Sequence, residues 1–150
     1  MGRTTPIGTR ALILCEDFGE RLGALRVGEA LSAGLLEGGA PPPDIFALDA
    51  ALPSTEEPRA LLDEAAFDPR MRAARALVLA VASLQEQTLA GSLAFEAATR
   101  ARQGGVPAYA VTARNALNTF DVRILDLQAV IEAGSARGLK DAGRRLAQVI

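Results

Sequence analysis

The chain has no histidine and no tryptophan, a single cysteine (Cys15) and a single tyrosine (Tyr109), and only 4% aromatic residues. Each shortage excludes something. Without histidine the commonest general base, proton shuttle and zinc ligand is missing, so any catalysis must rest on Asp, Glu, Lys, Arg, Ser or Thr. One cysteine permits neither an intramolecular disulfide nor a cysteine metal cluster, which fits a reducing, cytoplasmic setting. Cys15 lies in an apolar run and reads as a core residue. Scarce aromatics leave few platforms on which bases or sugars can stack. There is no basic excess either: 16 Lys and Arg stand against 18 Asp and Glu, a net charge of −2. Nucleic acid is therefore not expected as a partner. The polar opening "MGRTTPIGTR" and the acids Glu16 and Asp17, which cut short the first apolar run, leave no signal-peptide core or membrane span. Pro6 stands where a myristoylation signal needs Ser or Thr. A soluble chain without a targeting segment or membrane contact is the expectation.

What is present is apolar surface: 49% of the 150 residues are hydrophobic, enough for the core of one domain spanning 1–150, with 1–9 as a flexible N-terminus. Apolar runs of strand length alternate with segments of helical period, the pattern of an α/β fold. "ALILC" (11–15) is a continuous apolar run, as in a strand covered on both faces. Val27, Leu31 and Leu35, widened by Leu22, Leu25 and Ala30, predict a helix that stops at Gly38-Gly39. "IFALD" (45–49) reads as a short strand. Ser54 and Glu57 form a capping-box pattern for a helix near 55–66, and "FDPRMRAAR" follows as a polar connection or single turn. "ALVLAVA" (76–82) is the longest apolar run and the candidate sheet centre. Leu89, Leu93 and Ala97 predict a helix ending at Gly104-Gly105. Strands are expected at 106–111 and, as an edge, at 121–127; 112–120 stays unassigned. The last helix, 136–150, turns Leu139, Ala142, Leu146 and Val149 inward. The expected fold is thus a three-layer α/β domain with a mostly parallel five-stranded sheet, of Rossmann-like or flavodoxin-like order.

In such sheets ligands bind beyond the carboxyl ends of the strands, which singles out the turns 16–23, 82–88 and 112–115. Helix N-termini there suit a small-molecule anion. The candidate ligand-binding residues are Asp17, Ser83, Gln87, Thr88 and Thr112. Asp17 is also the one weak candidate for a metal; no other metal ligand and no catalytic residue is assigned. On spacing alone, Glu16 and Asp17 are read as closing and solvating a strand end, and Ser83 and Thr88 as helix caps. Paired acids after a first strand also hold Mg²⁺ in phospho-receiver domains. That chemistry requires an Asp ending the third strand and a Lys after the last. Here "VASLQ" and "LDLQA" occupy those places, so the phospho-acceptor and the Lys are both missing. The phosphate loop, the dinucleotide fingerprint and the nucleophile elbow are absent too.

Two stretches resemble bacterial two-domain glycerate kinases. "LILCEDFGERLGALRVGEAL" is similar to that family's opening strand, Asp-Ser-Phe-Lys-Gly-Ser-Leu-Ser-Ala turn and helix, with Asp17, Phe18, Leu22, Ala24 and Val27 in matching places and one residue fewer in the turn. "ARALVLAVASLQEQTLAGSLAFEAATRARQGGVPAYAV" resembles a later strand, turn, helix and Gly-Val-Pro, through Leu84, Gln87, Thr88, Gly91, Gly105, Val106 and Pro107. The closing stretch is similar to the family's last strand and helix. The family's middle domain, with its Gly-Gly-Ser-Ala-Thr-Asn-Asp motif, has no counterpart. The chemical positions are altered: no Lys stands near Gly19-Glu20, Gly-Glu-Gly-Arg has become Ala80-Val81-Ala82-Ser83, its following Asp is Gln85, and a later Lys is Ser92. Phosphoryl transfer needs cations for the phosphates and carboxylates for metal or base.

The resemblance therefore implies a fold kept without kinase chemistry: a non-catalytic, glycerate-kinase-like domain that binds a small molecule or a protein, with no cofactor. Two alternatives stand beside it. One is a kinase of glycerate or a similar hydroxy acid, using ATP and Mg²⁺, with Asp17 and Thr88 at one site and the missing groups supplied by a partner subunit. The other is a structural subunit of a homo- or hetero-oligomer.

Overall fold

Apolar continuity decides the middle of the molecule. All five residues of β1 (Ala11–Cys15) are buried, and so are the first six of β3 (Ala76–Leu84). The structure, a computed structural model, describes residues 9–48, 58–85 and 92–150. The remaining elements are α1 (Ala24–Glu37), β2 (Asp44–Ala47), α2 (Pro58–Glu64), α3 (Phe67–Arg72), α4 (Leu93–Gln103), β4 (Ala108–Asn115), α5 (Thr119–Ile124), β5 (Leu127–Glu132) and α6 (Ala136–Ala147). The five strands pair in the order β2-β1-β3-β4-β5, and every pairing is parallel. This is the flavodoxin-like order, a choice the sequence leaves open.

Strand alternation splits the core into two layers. Leu12, Leu14, Leu77 and Leu79 face α2, α3 and α4 through Leu62, Phe67, Met71 and Ala97. Ile13, Val78, Ala80 and Val111 face α1 and α6 through Val27, Leu31, Leu35, Leu139, Ala142 and Leu146. The helices α1 and α6 meet backbone to backbone: a Cβ on Gly34 would strike the Lys140 carbonyl, and one on Gly143 the Leu31 carbonyl. Beside this contact the Lys140 ammonium pairs with Glu37 at 2.7 Å. The stops of α1 and α4 use the second glycine of each pair, Gly39 at φ +92° and Gly105 at φ +74°, in the left-handed region.

Several expectations are corrected. Leu25 (57% exposed) and Val149 (61%) do not belong to the inward stripes: Leu25 is in the first turn of α1, and Val149 lies beyond the end of α6 at Ala147. "FDPRMR" is a helix, because Phe67 and Met71, one turn apart, both find the core. The stretch 121–127 is not the edge strand. Asn118 accepts the Asp121 N–H and Asp121 accepts the Asn118 N–H, a reciprocal cap that starts α5, and β5 begins only at Leu127. β4 starts and ends later than 106–111, and β3 runs on to Leu84. The Ser54–Glu57 pattern, Leu89 and the segment 1–8 lie outside the described residues. Among the described residues no helix is long and apolar enough to cross a membrane.

Candidate functional site at the carboxyl edge of the sheet

The parallel register builds one row across the carboxyl edge. Cys15 pairs with Ala80, Val81 with Thr112, and Thr112 with Glu132. Glu16, one step beyond Cys15, donates its N–H to the Ala80 carbonyl at 3.0 Å. The row therefore reads Glu16, Val81, Thr112, Glu132 from β1 to β5.

Glu16 and Asp17 take different roles. The Glu16 carboxylate reaches across to β3 and accepts the Ala82 N–H at 3.0 Å. Burial pushes its pKa above the usual glutamate value, the Ala82 N–H opposes that shift, and the neighbouring Asp17 charge adds to it. Asp17 closes its own turn by accepting the Gly19 N–H at 3.2 Å. Glu16, rather than Asp17, lines the small cleft at this edge, about 70 Å³, together with Val81, Ser83, Gln85 and Ser92.

The other candidates separate. Ser83 is exposed at the rim of that cleft. Thr112 is fully buried, and its hydroxyl donates to the Arg114 carbonyl at 3.2 Å and accepts the Arg114 N–H at 3.4 Å. Gln87 and Thr88 lie outside the described residues. Among the described residues no group of three or more potential metal ligands gathers. Three residues at this edge are not singled out as ligands by sequence. Ser92 caps α4 by accepting the Phe95 N–H at 3.1 Å, and its signal is a serine just before a helical apolar stripe. Glu132 accepts the Asn115 N–H at 3.2 Å, a contact hidden by the misplaced fifth strand. Glu16 is legible only as an acid at a strand end.

The connection from β4 to α5 is closely held. The N–H of Asn115 goes to Glu132, that of Ala116 to the Leu84 carbonyl at 2.8 Å, that of Leu117 to Asn115 Oδ1 at 3.1 Å, and that of Asn118 to Asp121 at 3.4 Å. Four consecutive donors are thus satisfied within the chain. The α5 helix that follows exposes Phe120 (68%) and Ile124 (45%), one turn apart.

No family model matches the chain, and no curated protein sequence matches it. Among solved structures, a protein described as pilus assembly-related, from Burkholderia pseudomallei K96243, is similar over 98% of this chain and 96% of its own, with TM-score 0.51 and 16% identity. A protein described as glycerate kinase 2, from Salmonella typhimurium LT2, aligns over 61% of this chain and 26% of its own, with TM-score 0.45 and 12% identity. An NAD(P)H:quinone oxidoreductase from Methanothermobacter marburgensis aligns over 94% and 98%, with TM-score 0.43 and 14% identity. At these identities the likeness is one of fold. The chain is a three-layer α/β protein with an all-parallel five-stranded sheet.

Proposed function

We propose that this chain is a non-catalytic protein-binding module built on the sheet order that signalling receiver domains share with flavodoxin. One observation carries the reading: the row Glu16, Val81, Thr112, Glu132 at the carboxyl edge. A phospho-receiver needs an Asp ending the third strand and a Lys after the last. This row has Val81 on β3, while β5 ends in Glu132 and is followed by Ala133 and Gly134. With an apolar residue at the acceptor place and an acid near the place of the cation, a phosphoryl group has neither a nucleophile nor a counter-charge.

The two carboxylates of the row are spent inside the protein, on the N–H groups of Ala82 and Asn115. The cleft beside Glu16, about 70 Å³, is smaller than small-molecule sites of roughly 300 Å³ and more, which favours a protein over a metabolite as partner. Phe120 and Ile124, offered to solvent on a closely held connection, are the apolar groups such a partner would cover.

The glycerate kinase resemblance leads to the same place: a scaffold kept, its cations gone. ATP and Mg²⁺ find a poor fit among the described residues of the cleft, which supply one carboxylate, already accepting a backbone N–H, and no Lys or Arg. For a kinase completed by a partner, Asp17 would have to leave its bond with Gly19.

The test is phosphoryl transfer by the purified chain in two reactions, one with Mg²⁺, ATP and glycerate, the other with Mg²⁺ and acetyl phosphate. No phosphoglycerate and no phosphoprotein are expected. Turnover, or labelling of the chain, that disappears in Asp17→Ala would overturn the non-catalytic reading.

A further inference from the structure

We propose that the partner covering α5 in the protein-binding reading above, on which this rests, is an acidic, apolar segment of another protein: Phe120 and Ile124 meet its apolar side chains, and Arg102 and Arg123 its carboxylates.

The four residues are brought together by α5 and the end of α4. Val122 and Leu125 turn α5 toward the core, which leaves Phe120, Arg123 and Ile124, spaced three and four residues apart, on one solvent-facing side. Arg102, exposed in the last turn of α4, brings a second cation to the same place: its guanidinium donates to the Ile124 carbonyl at 3.4 Å. The apolar pair is thus bordered by two arginines.

Neither arginine is neutralised by contact. Among the described residues Arg102 and Arg123 form no ion pair. The acids of the same segment do not serve them: Asp121 is buried and holds the Asn118 N–H in the cap, and Asp126 stands exposed beyond the helix, also outside any ion pair there.

That combination selects one occupant. Phenylalanine beside arginine is the composition of interface centres rather than of ordinary surface. A guanidinium offers paired donors that match a carboxylate. A second copy of this chain seated on the same face about a two-fold axis would set these arginines against their own counterparts, so charge favours a different, acidic protein. The surface is also prepared, since the N–H groups of residues 115–118 are all bonded within the chain and little freedom is lost on docking.

The test is an NMR titration of the isotopically labelled full chain with a synthetic amphipathic peptide, leucine on one helical face and glutamate on the other, and with its counterpart carrying lysine for glutamate. Saturable shifts centred on residues 102, 120, 123 and 124 are expected with the glutamate peptide alone, and its affinity should fall as chloride is raised. Affinity should drop about tenfold in Phe120→Ala and about threefold in each of Arg102→Gln and Arg123→Gln, and stay unchanged in Arg26→Gln, whose charge lies on α1. Absence of saturable binding by the glutamate peptide overturns the acidic partner, as does equal affinity for the two peptides or an equal response of all the variants. Sedimentation of the free chain separates the other occupant: a dimer that Phe120→Ala dissociates overturns the acidic partner in favour of a second copy. Turnover or labelling in the phosphoryl-transfer reactions would sink the protein-binding reading itself, whereas peptide failure without phosphoryl transfer removes only this docking face.

Discussion

The Glu16 carboxylate accepts the Ala82 N–H at 3.0 Å across 66 residues of sequence, tying the end of β1 to β3. An ionised side chain does this work in a partly buried place, and both sides of that compromise can be measured. Burial raises the Glu16 pKa above 4.5 in the folded protein. The folded state then holds its proton more tightly than the unfolded chain, so this group's contribution to stability is full below the unfolded value and is lost as pH rises through the folded value. Glu16→Gln keeps an acceptor for Ala82 and removes the charge. It should raise the urea midpoint at pH 7 and flatten the fall in stability just above pH 4.5. Glu16→Ala leaves the N–H without its acceptor and should cost about 1–3 kcal/mol.

Gly34 gives a second prediction, opposite in sign to helix propensity. Alanine is better than glycine in a helix interior by about 1 kcal/mol. At Gly34, however, the added Cβ would meet the Lys140 carbonyl on α6, which backbone alone can relieve. Gly34→Ala should therefore destabilise the protein by about 1–3 kcal/mol in urea unfolding, as overpacking does.

Arg70 clamps α3 to the edge strand β2. Its guanidinium binds Asp44 in two hydrogen bonds and stands 4.8 Å from the Phe46 ring centre. The bonds to Arg70 hold the Asp44 carboxyl below its ordinary value of 3.8, with burial opposing and the charges of Arg70 and Arg10 helping. A depressed acid contributes stability that is present above the unfolded pKa and lost as pH falls through the folded one. Arg70→Met should cost about 1–2 kcal/mol at pH 7, discounted for partial exposure of the pair. Its cost should shrink in acid unfolding below about pH 3.8.

Ala66 joins α2 to α3 at φ +54°, exposed and left-handed. A side chain in that region costs roughly 1–2 kcal/mol that glycine avoids, while glycine adds entropy to the unfolded chain. Ala66→Gly should stabilise the protein by about 0.5 kcal/mol or more, visible as a raised thermal midpoint.

The reading of the sequence succeeds where the physics is local or one-dimensional. Continuous apolar runs locate β1 and β3 because a strand buried on both faces cannot alternate. The period of Val27, Leu31 and Leu35 and the glycine pair after them define α1. The error at 121–127 has a local cause as well. "DVRILDL" alternates well enough for a strand, and the Asn118–Asp121 cap that makes its first half a helix is not a serine or threonine pattern.

Long-range placement is a different matter. The sequence singles out Asp17 over Glu16 as a candidate ligand, and only the approach of β3 decides that Glu16 meets Ala82 while Asp17 turns back on Gly19. The strand order and the row from Glu16 to Glu132 arise from contacts between segments distant in sequence, which no window of residues encodes. Gly34 and Gly143 look like weak helix residues until α1 and α6 meet through them. The sequence alone determined an α/β core and the absence of histidine, because apolar patterning and residue chemistry are properties of single segments. Which acid reaches across to β3, which closes its own turn and which arginines find a carboxylate partner were decided by the tertiary structure, since burial and hydrogen-bond partners exist only once the strands lie side by side.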